Sequence, residues 1–197
     1  MNDHAHHECC GEVGNLFCPD NVGLLVVDIQ EKLWPHIAGK QACLEYVCDA
    51  IDVAGHLTMP ILVTEQYKKG LGSTIDEVTD ALKRFDAYHP IEKRAFSCFG
   101  EPAFVASLED KGIETLAIVG IEAHICVMQT ALEAIDRGLD VVYIAEGCAS
   151  REPRHKAEAV SRVRDAGGII GSVEMFAFEA MRTAAHPAFR NVQKVIL

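Results

Sequence analysis

One stretch of the chain restricts the fold more than any other: LAIVGIEAHICVMQTALEAIDRG, residues 116–138. Residues 116–119 are a short apolar run of strand type, and Gly120 breaks it. From Cys126 onward apolar side chains return at helical spacing, as Val127, Ala131, Leu132, Ala134 and Ile135. The pattern predicts a strand turning sharply into a helix, with Cys126 at or near the first turn. A helix start carries unpaired N–H groups and partial positive charge, which favour a thiolate over a thiol. Cys126 is thus a candidate nucleophile. It is equally a candidate structural cysteine, because free cysteine is among the most buried residue types.

The strand-then-helix rhythm recurs along the chain. Residues 22–29, VGLLVVDI, are apolar on both faces, as in a parallel sheet covered by helices. A helix over 41–57 carries Leu44, Val47, Ile51, Ala54 and Leu57 on one stripe. A strand over 61–64 is followed by a polar segment, 65–74, read as a solvated loop rather than a phosphate cradle. Then come a short helix (78–85), a brief strand (89–93), a turn (95–99) and a helix (101–111) stopped by Gly112. After the opening stretch come a strand (140–145), a loop (146–151), a helix (153–166), a last short strand (169–171) and a helix over 173–184. Residues 187–197 pack on the outside or on a partner. This alternation predicts an α/β fold: a three-layer α/β/α Rossmann-like sandwich around a central, mostly parallel six-stranded sheet. Residues 1–21 read as a flexible N-terminal tail and 22–197 as a single domain.

Charge and cysteine usage exclude other classes. A net charge of −11 counts against nucleic acid as a partner, because phosphate contacts need clustered Lys and Arg. No apolar run reaches membrane-spanning length, so no membrane partner is expected. The eight cysteines form no disulfide-scaffold pattern and read as reduced thiols, which points to the cytoplasm and leaves a mitochondrial location open. His4, His6, His7, Cys9 and Cys10 read as part of the tail rather than as a metal site, since nothing there fixes a coordination geometry.

Three predicted strand ends carry reactive side chains: Asp28 after the first, Lys93 after the third and Cys126 after the fourth. An open parallel sheet gathers such ends at its carboxyl edge, where ligands bind. Each residue has an ordinary alternative: a turn cap for Asp28, a surface lysine for Lys93, packing for Cys126. Together they form a coherent set, with a sulfur nucleophile, a carboxylate to take and return a proton, and a cation to tune both. Trp34, Gln66, Tyr67, Phe99 and His124 are candidates for lining a substrate pocket; Trp34 and Tyr67 have covering the core as their alternative, and His124 has capping the helix. Cys98 reads as packing.

Four segments, VVDIQ, KRAFSCF, GIEAHICVMQTALEAIDRG and VVYIAEGCASR, resemble in this order the isochorismatase-like cysteine hydrolases. TEQYKKGLG and HPAFRNV bring the chain nearest to the subgroup of isochorismatase domain-containing proteins. The resemblance implies an Asp28–Lys93–Cys126 catalytic triad. It also implies a cis peptide between Ile121 and Glu122, and an oxyanion hole from the backbone amides of Glu122 and Cys126. The metal-binding Asp and His of nicotinamidase-type members have no counterpart in 65–74, so no metal and no cofactor are expected. The implied reaction is hydrolysis of a C–N bond in a small amide or carbamoyl compound through an acyl-enzyme, by a homo-oligomer (dimer or tetramer). Two alternatives remain: a redox-sensing thiol with Cys98 or Cys148 as resolving partner, and a mitochondrial-associated ribonuclease or binding protein on the same fold.

Overall fold

A computed structural model describes residues 16–197. The tail histidines, with Cys9 and Cys10, lie outside the described residues. Six strands form one sheet: β1 (Val22–Val27), β2 (Ile61–Gln66), β3 (Ile91–Lys93), β4 (Thr115–Gly120), β5 (Asp140–Cys148) and β6 (Ile169–Gly171). Their spatial order is β3-β2-β1-β4-β5-β6, and every neighbouring pair is parallel. The expected "mostly parallel" sheet is therefore wholly parallel.

All six residues of β1 are buried, as a central strand covered on both faces requires. Alternate residues face opposite layers. Val22, Leu24 and Val26 join a core with helix α1 (Lys40–His56), and Leu25 and Val27 join a second core on the other face. Helices α2 (Lys68–Leu71) and α3 (Asp76–Lys83) follow β2, and α4 (Pro102–Asp110) follows β3. Helices α5 (Met128–Asp136) and α6 (Pro153–Asp165) flank β5, while α7 (Val173–Met181) and α8 (Phe189–Ile196) close the chain. Among the described residues no helix is long and apolar enough to cross a membrane.

Several boundaries differ from the sequence reading for physical reasons. The packed domain starts upstream of residue 22: Phe17 is buried, stacks on Phe176 at 5.8 Å, and its carbonyl accepts a hydrogen bond from Arg182. Cys43, Cys48, Cys98, Cys126 and Cys148 are free thiols. The polar segment after β2 is anchored rather than a solvated loop. Glu65 belongs to β2, is buried, and accepts hydrogen bonds from the Thr74 amide (2.9 Å), the Thr74 hydroxyl (3.0 Å) and Tyr88 Oη (3.0 Å). The C-terminal residues form α8, whose Val192 is fully buried in the core that contains α1.

Candidate active site

The ends of β1, β2, β3 and β4 converge at the carboxyl edge. Val27 pairs with Thr64 of β2 and with Gly120 of β4, and Gln66 of β2 pairs with Lys93 of β3. Gly120 is required here: its φ is +137°, and a Cβ would lie 2.3 Å from the Val27 carbonyl oxygen. Immediately beyond β1, Asp28 takes a left-handed backbone conformation (φ 52°), which Asp tolerates better than most side chains. Its amide donates to Thr64 O (3.2 Å) and its carbonyl accepts from the Gln30 amide (2.8 Å).

The Asp28 carboxylate is wholly buried. Oδ1 accepts a hydrogen bond from Thr64 Oγ1 at 2.9 Å, and Oδ2 lies 2.7 Å from Lys93 Nζ. Lys93 is also fully buried, and its ammonium donates to Gln66 Oε1 (2.8 Å), Phe96 O (3.0 Å) and Ala95 O (3.2 Å). Burial alone would push this lysine's pKa down, but the negative charge of Asp28, with the Cys98 and Cys126 sulfurs, outweighs it and the pKa is raised. Lys93 is thus held as a cation with every N–H engaged.

Cys126 is 7% exposed, and its sulfur lies within electrostatic reach of both the Asp28 carboxylate and the Lys93 ammonium. It lies inside a wide helical turn, Ala123–Val127, that feeds α5. The lowered thiol pKa expected from a helix start is not found. Burial first, and then the Asp28 charge, push the pKa well above the ordinary thiol value, and Lys93 only partly opposes them.

The peptide joining Ile121 to Glu122 is cis. Ile121 N donates to Val27 O (3.0 Å) and Ala123 N to Ala149 O (2.8 Å), which tie the turn to β1 and to the end of β5. The Glu122 carbonyl takes the amides of Ile125 and Val127 (3.0 and 3.3 Å); the Glu122 and Cys126 amides take part in none of these bonds. The Glu122 side chain is buried, with its carboxylate held by Arg151 Nε (2.8 Å) and the Arg151 amide (3.1 Å).

The pocket candidates separate. Gln66 contacts the Asp28–Lys93 pair directly, as an acceptor for Lys93. Its backbone is held by the Gln30 side chain, which accepts from Gln66 N (2.8 Å) and donates to Gln66 O (3.0 Å). Tyr67 is half-exposed beneath the Arg94 guanidinium, 4.3 Å from ring centroid to Cζ. Trp34 opens a short 3₁₀ turn, Trp34–His36, and packs against the core on the α1 side. Phe99 is turned into the core, edge-on to Phe104 at 5.2 Å, and the exposed aromatic of that loop is Phe96. His124 Nδ1 lies 2.9 Å from Ser150 Oγ, and its ring is 4.6 Å from that of His155. The structure therefore brings Asp28, Lys93, Cys126 and Gln66 together, and Phe99 belongs to the same buried cluster as Cys126.

Sequence reasoning missed Thr64, Gln30 and Arg151 as supports of this site. Gln30 had a signal, since it stands two residues past Asp28 in VVDIQ. Among the described residues no group of three or more His, Cys, Asp or Glu side chains could hold a metal ion. Two surface clefts share Thr58, Met59, Pro60 and Lys111, at the opposite edge of the sheet.

Comparison with known proteins agrees with this geometry. The isochorismatase domain matches residues 22–175. Isochorismatase domain-containing protein 2A of Mus musculus is 32% identical over 179 residues, 90% of this chain and 84% of its own length. A structure described as MAR1 ribonuclease from Caenorhabditis elegans superposes with a TM-score of 0.84 at 33% identity, over 92% of each chain. The ycaC gene product of Escherichia coli, described as an octameric hydrolase of unknown specificity, shares the fold: TM-score 0.84 and 20% identity, over 92% of this chain and 89% of that one. A wholly parallel sheet with these strand ends, and a domain match over most of its length, make the chain a member of the isochorismatase family of hydrolases.

Proposed function

We propose that the protein hydrolyses a C–N bond of a small amide or carbamoyl compound, with Cys126 as nucleophile and Asp28 as general base and acid. The observation that carries this reading is the buried Asp28 carboxylate, 2.7 Å from the Lys93 ammonium, with its charge acting on the nearby Cys126 sulfur. As the sulfur attacks the carbonyl carbon, its proton passes to Asp28. The oxyanion is held by the backbone N–H groups of Glu122 and Cys126. Collapse breaks the C–N bond, and Asp28 returns the proton to the departing nitrogen. Water then attacks the thioester, giving its proton to Asp28; the acid leaves and the sulfur is reprotonated. Lys93 neither gives nor takes a proton; it keeps the carboxylate charged between turnovers.

The test is a panel of small amides and carbamoyl compounds assayed with wild type and Cys126→Ala. Turnover by wild type, a thioester seen by intact-mass spectrometry and loss of both in the variant support the reading; equal turnover by the two proteins removes Cys126 as nucleophile. The functional unit is proposed to be a homo-oligomer, as the octameric description of the E. coli relative suggests. Ribonuclease activity is the second reading, because a 33% identical relative is described as a ribonuclease. The net charge of −11 stands against it, and the same two proteins assayed on single-stranded RNA decide the matter.

A further inference from the structure

Two buried hydroxyls outside the proposed reaction connect its parts. Thr64 Oγ1 donates to Asp28 Oδ1 at 2.9 Å and is approached by Cys98 Sγ at 3.8 Å. The Cys98 amide donates to Thr130 Oγ1 at 3.0 Å, and Thr130 Oγ1 donates to the Cys126 carbonyl at 2.7 Å. The bonds thus run as one chain from Asp28 through Thr64, Cys98 and Thr130 to the Cys126 carbonyl, with both threonines and Cys98 fully buried. A threonine hydroxyl has one proton to give. That of Thr64 goes to the carboxylate, so the bond to Asp28 is charge-assisted and sits in a low-dielectric setting.

We propose that Thr64 is a positioning residue for the acid–base step: its hydroxyl pins Oδ1 of Asp28 and stabilises the ionised carboxylate, leaving Oδ2 to Lys93. This rests on the reading of Asp28 as the proton acceptor. Thr130 fixes the Cys126 backbone at the other end of the chain, so base and nucleophile are tied to the same buried Cys98 segment. The titratable groups that bear on Asp28 are Lys93 from the end of β3, Cys126 from the turn before α5, and Cys98 from the loop before α4. Thr64 is the neutral donor among them, and removing its hydroxyl changes none of their formal charges.

The experiment titrates Asp28 directly, by ¹³C NMR of protein labelled at aspartate carboxyls, with the Asp28 resonance assigned by its loss in Asp28→Asn. Thr64→Val keeps the shape and strand propensity of the side chain; Thr64→Ser keeps the hydroxyl. The expected result is an Asp28 midpoint about one pH unit higher in Thr64→Val than in wild type, and unchanged in Thr64→Ser. Coincident midpoints in wild type and Thr64→Val overturn the proposal, whatever happens to the melting temperature. For a substrate found by the amide panel, the acid limb of kcat/KM moves by the same amount, whereas a purely structural threonine lowers activity at every pH without moving the limb. The titration needs no substrate, so intact turnover in Cys126→Ala would remove the assigned reaction and leave this result standing.

Discussion

Lys93→Met tests the central ion pair. At 2.7 Å, and with an effective dielectric of ~20, the attraction between the Lys93 ammonium and the Asp28 carboxylate is about 6 kcal/mol. Desolvating both groups consumes much of that, so the pair itself adds little net stability. Removing one partner is different, because the other remains as a buried, uncompensated charge; such changes cost ~3–5 kcal/mol. Lys93 also leaves three further acceptors, on Gln66, Ala95 and Phe96, without their donor, which puts the expected loss in the upper half of that range. Methionine fills nearly the same volume, so cavity formation contributes little. Urea unfolding followed through Trp34, the only tryptophan, reads the loss. With an m value of ~2 kcal/mol/M, the midpoint falls by about 2 M. Asp28→Asn in the same chain removes the stranded charge and restores at least about 2 kcal/mol as a coupling term. A Lys93→Met protein within about 1 kcal/mol of wild type, or a double variant no more stable than the single one, would refute the pairing.

Three other outcomes follow from buried groups. Glu65→Gln weakens the charge-assisted bonds that hold the segment after β2 and costs ~1–3 kcal/mol at pH 7 by urea titration. Burial would raise the Glu65 pKa, but Lys68, the Thr74 amide and the Tyr88 and Thr74 hydroxyls lower it overall. Its stabilisation is therefore present above the ordinary carboxylate pKa and lost in acid, and the two proteins converge below about pH 4. Buried thiols have the opposite sense. Burial pushes Cys148 up to about 12, so folding holds a proton that the unfolded chain releases above about pH 9, and stability falls by up to about 1.4 kcal/mol per pH unit for this thiol. Cys148→Ala makes the alkaline stability slope shallower by about that amount, and an unchanged slope would count against its burial as a thiol. Phe99→Leu, in the buried cluster with Phe104, lowers the melting temperature by several degrees.

The layer order and the meeting of three strand ends were legible because β1 and β4 are apolar on both faces and helices separate the strands, which restricts the topology to a few right-handed windings. The supports of the site were not. Thr64 lies inside β2, where a threonine reads as an ordinary strand former. Gln66 drew attention as a pocket residue, but the register that places it beside Lys93 depends on how β2 and β3 pair. Glu65 looked like one more polar residue of a loop because its partners, Thr74 and Tyr88, lie 9 and 23 residues away. The orientation of Phe99 was not legible either, because the side on which a short turn presents each residue is set by packing, here against Phe104, not by its spacing from Lys93.

The thiol pKa shows how competing effects decide chemistry. The helix-start argument for a thiolate is worth ~0.3–1 kcal/mol at exposed sites and at most about 2, hence less than two pH units. Burial of a charged group moves a pKa by up to ~3–5 units in the opposing direction. At this site the Lys93 charge, which would add to the helix term, is largely answered by Asp28 at 2.7 Å, and the Asp28 carboxylate itself faces the sulfur. Burial wins, so the resting Cys126 is a thiol, and in the proposed reaction its ionisation has to accompany bond formation to the substrate. The same result bears on the redox alternative, because peroxide reacts with thiolates and the reaction rate follows thiolate content. Exposure of the protein to millimolar peroxide at pH 7 therefore leaves Cys126 unmodified over minutes, with no disulfide to Cys98 or Cys148 in peptide mass spectra. A Cys126–Cys98 bridge formed quickly under those conditions would show that the sulfur ionises readily after all, and would transfer the weight of the argument from hydrolysis to redox sensing.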